Sequence, residues 1–143
     1  MKTLFMLLML MLPVSVVFSQ SENLSSTQKS EIVDNLNVGI NSDNNGLRTS
    51  SADVFSDLVN DKYLDKSDAS KSMIPLLIML ENGKSDEERI SAALALYNLG
   101  NPIGIYRLRG VAVYDNNEKV STVCKNLYYT YHKLHGTEYL VDL

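Results

Sequence analysis

Residues Ser85 to Pro102 read S-D-E-E-R-I-S-A-A-L-A-L-Y-N-L-G-N-P, and this stretch carries both ends of one helix. Ser85 and Glu88 stand at the S-x-x-E spacing of a capping box, in which each side chain satisfies a free backbone N–H at the helix start. Ile90, Ala93, Leu94 and Tyr97 recur at the i, i+3, i+4, i+7 spacing of a buried face. Gly100 suits the left-handed position after the last turn. Asn101-Pro102 restarts a helix with a cap and a proline that has no N–H to satisfy.

Other helices extend from this one in both directions. Ile32, Val33, Leu36 and Ile40 lie on one side at helical spacing, with helix signals from Ser26. N-S-D-N-N-G, Asn41 to Gly46, is a turn by composition. Leu47 to Val59 forms a second helix with Leu47, Ser51, Val54, Phe55 and Leu58 on its apolar face. The polar stretch from Asn60 to Ser70 reads as an exposed loop. M-I-P-L-L-I-M-L, Met73 to Leu80, cannot be typed by period alone. Its flanks, and Pro75 placed in a first turn, predict a helix from about Ser72 to Asn82. A helix apolar all round requires neighbours on several sides, so this one is expected at the centre of the fold.

Pro102 opens a further helix to about Tyr114. Asp115 and Glu118 have capping-box spacing before the last helix. Val120, Val123, Cys124, Leu127, Tyr128, Tyr131 and Leu134 form its apolar stripe, and Gly136 ends it.

The helices come in pairs. Glu88-Arg89-Ile90-Ser91 matches Glu118-Lys119-Val120-Ser121 thirty residues later, which lays Leu94 over Cys124. Arg48 precedes Arg89 by 41 residues, the excess being the loop from Asn60 to Ser70. A helix-pair period in this range marks an α-solenoid, in which stacked pairs share one core. The expected fold is all-α: a short right-handed α-solenoid of about three antiparallel helix pairs. Its domain spans 28–136, after a signal peptide (1–19) and a flexible linker (20–27), with a C-terminal tail (137–143).

Ile74 to Pro102 resembles a HEAT-like repeat of the short type also found in bilin lyases and bacterial scaffold proteins. The matching features are an early proline, an acidic turn, an arginine opening an alanine-rich helix, and a closing glycine. Ile74 to Tyr131 carries the pattern well and Arg48 to Leu58 weakly. The resemblance implies a protein that scaffolds or adapts other proteins.

Composition sets the compartment. Lys2 followed by an apolar run from Leu4 to Val17 and the small-residue site Val17-Phe18-Ser19 reads as a secretory signal. The run has 14 residues and contains Pro13, whereas a spanning helix takes about 20. No cysteine stands at the cleavage site, so the chain is not read as a lipoprotein. Export to the periplasm or true secretion is expected, with no membrane insertion after cleavage. Cys124 is the only cysteine, which leaves stability to packing rather than cross-links. A formal charge of −4 argues against a nucleic-acid partner.

No Ser/His/Asp set, phosphate-binding glycine loop or metal-ligand spacing stands out, so neither catalysis nor a cofactor or metal is expected. Arg48, Arg89 and Lys119 share one repeat position and are expected to pair locally with Asp86 or Glu87, or with the turn of a neighbouring repeat. Cys124 is read as a core thiol, and His132 and His135 as solvated. Binding of an unidentified protein partner is assigned to Tyr106, Arg107, Arg109, Tyr129 and Tyr139, tyrosine and arginine being suited to interfaces. Two alternatives stay open: a structural or stress-related envelope protein without a dedicated ligand, and an accessory lyase-type enzyme.

Overall fold

The structure, a computed structural model, describes residues 24–138. The expected signal peptide, the first half of the linker (20–23), and residues 139–143 lie outside the described residues. Within them the chain is all-helical, with no strand. The helices are α1 (Ser26–Ile40), α2 (Asn45–Asn60), the short α3 (Lys66–Ala69), α4 (Met73–Asn82), α5 (Asp86–Leu99), α6 (Pro102–Tyr114) and α7 (Glu118–Leu134). None is long and apolar enough to cross a membrane.

Each start has a local cause. The α1 helix opens on a full capping box between Ser25 and Gln28, so the end of the expected linker is its cap and first turn. Asn44 caps α2 by accepting from the Leu47 N–H at 3.0 Å. Ser85 caps α5 by accepting from Glu88 N–H, while the Glu88 carboxylate reaches past Ser85 to the Lys84 N–H at 2.9 Å. Asn101 and Pro102 open α6 as expected, and Gly100 closes α5 in the left-handed region at φ 63°. For α7 the cap is Asn117, which accepts from Val120 N–H, and not Asp115.

That cap shifts the internal alignment. Measured from cap to cap, Ser85 and Asn117 are 32 residues apart, two more than the sequence match suggests. The positions equivalent to buried Val120, Cys124 and Tyr128 are therefore Glu88, Ala92 and Leu96, all fully buried. Leu94, expected inside, is 38% exposed. For the same reason Lys119 is not equivalent to Arg89. Arg48 and Arg89 do correspond, each four residues after its cap.

The centre of the fold is α5, not α4. It packs against α2, α4, α6 and α7. Ala92, Ala93 and Ala95 are fully buried, and their small side chains let neighbours approach from several directions. The apolar α4 uses Leu76, Met79 and Leu80 inward and leaves Ile74 and Ile78 exposed. In α2, Ala52, Phe55, Ser56 and Val59 face inward, whereas Leu47 and Val54 face solvent. In α7 the stripe holds except at its end, where Leu134 is exposed. Val33 and Ile40 of α1 are buried as expected, flanked by half-buried Ile32 and Leu36.

The stretch from Asn60 to Ser70 is not a free loop. Leu64 and Ala69 are buried, α3 and a 3-10 turn at Ser70–Ser72 follow, and both lie against α1. Lys29 pairs with Asp65 at 2.9 Å and Lys71 Nζ donates to Ser30 Oγ at 2.8 Å. An apolar residue every few positions was enough to dock a segment whose overall composition is polar.

The α2, α5 and α7 helices run the same way. Arg48 at the start of α2 meets Glu88 at the start of α5, and Asn98 near the end of α5 donates to Ser56 Oγ in the second half of α2 at 2.8 Å. Asn117 at the start of α7 donates to Asp86 at the start of α5. At the other end, the Tyr131 ring lies 3.8 Å from where a Cβ on Gly100 would stand.

Candidate functional site

The basic side chains at the helix starts tie neighbouring helices together. Arg89 donates from Nε to the Leu80 carbonyl at 2.8 Å and closes both terminal nitrogens on the Asp115 carboxylate. This fork holds the Asp115 carboxyl below its ordinary range and raises the guanidinium. Lys119 lies 3.5 Å from Glu87 and 3.8 Å from Asp86. Glu87 is lowered first by backbone hydrogen bonding and then by Lys119. Arg48 lies 3.6 Å from the buried Glu88. Of the two expected arrangements, pairing across to a neighbouring segment is the one present. At the α2–α5 seam the fit is looser: Arg48 Nε and Glu88 Oε1 are buried with no hydrogen-bonding partner among the described residues.

Cys124 is fully buried. Burial pushes its thiol up to about 12, with a smaller opposing pull from Arg89. It is the protonated thiol at neutral pH, as expected of a core residue.

Two clefts border α6. The first, about 230 Å³, is lined by Pro102, Ile105, Tyr106, Tyr128, Tyr131 and His132. Its wall is an aromatic cluster: the His132 ring meets Tyr128 edge-on at 4.5 Å and Tyr131 at 5.6 Å, and Tyr131 stacks on His135 at 4.1 Å. The Thr137 hydroxyl lies 2.7 Å from His132 Nδ1 and 3.3 Å from the His132 carbonyl, tying the start of the tail to the helix end. The Tyr131 carbonyl can only accept, so His135 Nδ1 carries its hydrogen, at 2.7 Å. The neutral His135 imidazole therefore keeps Nε2 unprotonated. The expected tail begins by packing back at Thr137, and His132 is half-buried rather than fully solvated.

The second cleft, about 250 Å³, lies between α4 and α6 and is lined by Glu81, Arg107, Gly110, Val111, Tyr114 and Asp115. Arg107 spans it in an ion pair with Glu81.

The five expected surface residues do not form one patch. Tyr106, 67% exposed, stands at the rim of the aromatic cleft. Arg107, its chain neighbour, faces the second cleft, and Arg109 is half-buried. Tyr129 is on the outer side of α7, its ring 5.9 Å from the Lys125 ammonium. Tyr139 lies outside the described residues. The sequence reading missed the cleft partners of Tyr106. Tyr128, Tyr131 and His132 share a helix face by spacing alone, but that spacing also describes a core stripe. Only the approach of α6 makes it a wall. Among the described residues no three His, Cys, Asp or Glu side chains come together as a metal site would require.

Against known proteins, the chain matches no family model, no curated protein and no solved structure.

Proposed function

We propose that the chain is an exported, non-catalytic scaffold or adaptor, built as a short HEAT-like α-solenoid, that binds another protein through the aromatic cleft between α6 and α7. The solenoid reading rests on three helix pairs, α1–α2, α4–α5 and α6–α7, and on the common direction of α2, α5 and α7. Repeats stacked in this way expose long surfaces suited to partner proteins. The export reading rests on residues 1–19 of the sequence.

The observation that carries the functional reading is the exposed Tyr106 beside a concave wall of Tyr128, Tyr131 and His132. An apolar or aromatic side chain of a partner fills such a cleft, and tyrosine rings anchor interfaces at low entropic cost.

The test is co-purification from envelope extract with wild-type protein, Tyr106→Ala, and Tyr114→Ala as a surface control. A stoichiometric partner retained by Tyr114→Ala and lost by folded Tyr106→Ala supports the reading. No stoichiometric partner, or one held equally by Tyr106→Ala, overturns it.

A further inference from the structure

The α2 and α7 helices are the end members of the α2–α5–α7 row. Each turns one side inward and leaves the opposite side open. On α2 and its C-cap the open side carries Asp53, Asp57 and the capping Asp61, all exposed, with Leu47 and Val54 beside them. On α7 it carries Lys125, Tyr129 and Lys133, also exposed. Both sets step by four residues, so each forms a single ladder along its helix.

The ladders also match in height. Counted from the caps Asn44 and Asn117, the α2 acids stand 9, 13 and 17 residues along, and the α7 residues 8, 12 and 16. A parallel helix pair offset by one residue, a slide of about 1.5 Å, aligns every rung. Parallel is the direction these helices already take within the chain. None of Asp53, Asp57, Asp61, Lys125 and Lys133 takes part in a salt bridge among the described residues.

The charge of the two parts agrees. Residues 24–101 hold twelve acidic and seven basic side chains, and residues 102–138 hold three acidic and five basic. We propose that the protein associates with itself head to tail, the outer face of α7 in one copy seated on the outer face of α2 in the next. Lys125 then meets Asp53, Tyr129 offers its hydroxyl to Asp57, and Lys133 meets Asp61. The joint continues the row with the device its internal joints use, a cation at one helix facing a carboxylate at its neighbour. Such an interface is heterologous, so it leaves a free α2 at one end and a free α7 at the other and can grow. It uses a different surface from the Tyr106 cleft, and either can fail without the other.

Sedimentation velocity of the purified protein over a hundredfold range of concentration tests it, at low salt and at high salt. At low salt the weight-average mass should rise to more than twice that of one chain, and high salt should return it toward the monomer, because the rungs are exposed charges. Asp53→Lys/Asp61→Lys and Lys125→Glu/Lys133→Glu should each stay monomeric with unchanged helicity, and an equimolar mixture of the two should associate again. A wild-type protein that stays monomeric throughout, variants that associate like wild type, or a mixture that stays monomeric would each overturn the proposal.

Discussion

Arg89 of α5 grips Asp115, which lies between α6 and α7, through both terminal nitrogens, and its Nε holds the Leu80 carbonyl at the end of α4. One side chain thus joins α5 to the end of α4 and to the segment between α6 and α7. Both partners are mostly shielded from solvent, so the pair is not an ordinary surface ion pair. Replacing Arg89 by Ala should cost about 2–4 kcal/mol in chemical denaturation, since Asp115 and the Leu80 carbonyl lose their donor. Arg89→Lys should recover little, because an ammonium cannot reproduce the fork.

The same pair sets an acid limit. The Asp115 carboxyl lies below its ordinary value of 3.8 because Arg89 hydrogen-bonds the charged form. A depressed folded value contributes stability that is present above the unfolded value and is lost as pH falls through the folded one. Unfolding free energy should therefore decline below about pH 4. In Asp115→Asn that decline should be shallower, with lower stability at neutral pH. Urea melts of both proteins between pH 2.5 and 7 measure the difference.

Cys124 reports on the core. With its thiol pushed up to about 12 by burial, it should react with a disulfide reagent at pH 8 only when the fold opens, and promptly in denaturant. A raised folded value means stability is intact below the unfolded value and erodes as pH rises through it toward the folded one. The protein should accordingly lose stability above about pH 9, and Cys124→Ala should lose less of it over that range.

Gly39 of α1 allows α2 to approach. A Cβ there would stand 2.0 Å from Ser51 Oγ and 2.8 Å from Ser51 Cβ. Gly39→Ala should destabilise by about 1–3 kcal/mol through overpacking. Gly39→Ala/Ser51→Gly should regain part of that loss, a coupling that thermal melts of the three variants will show.

Leu94 and Leu96 separate the expected α5 face from the observed one. Leu96→Ala should cost about 2–5 kcal/mol, as truncation of a buried leucine does. Leu94→Gln should stay within about 1 kcal/mol of wild type, since Leu94 lies partly in solvent.

The legible parts of the fold were those written locally. Ser85, Gly100 and Asn101-Pro102 each carry their own boundary, and each boundary stands where they put it. Pro75 in the first turn of α4 was legible for the same reason. What failed depended on neighbours. Alanines look featureless in a sequence, yet Ala92, Ala93 and Ala95 are what make α5 the centre. The apolar run of α4 drew attention to the wrong helix, because hydropathy cannot say which side finds a partner. Asp115 and Asn117 both had the chemistry of a cap. Asp115 was claimed by Arg89, 26 residues away, and local spacing carries no record of that. The cleft beside Tyr106 was equally hidden, because its wall of Tyr128, Tyr131 and His132 forms only where α6 meets α7.

The two joints of the α2–α5–α7 row differ in how their polar groups are matched. At the α5–α7 seam Asn117 donates to Asp86, and Arg89 closes on Asp115 with both terminal nitrogens. Between α2 and α5, Arg48 and Glu88 stand 3.6 Å apart, and each keeps a buried atom unpaired. Such atoms cost about 1–3 kcal/mol each to hold out of water. Under mild stress the fracture should start there. The N-terminal helices α1 and α2 should be the first to detach and expose their amides and cleavable bonds, while α4 to α7 persist as the protected remainder.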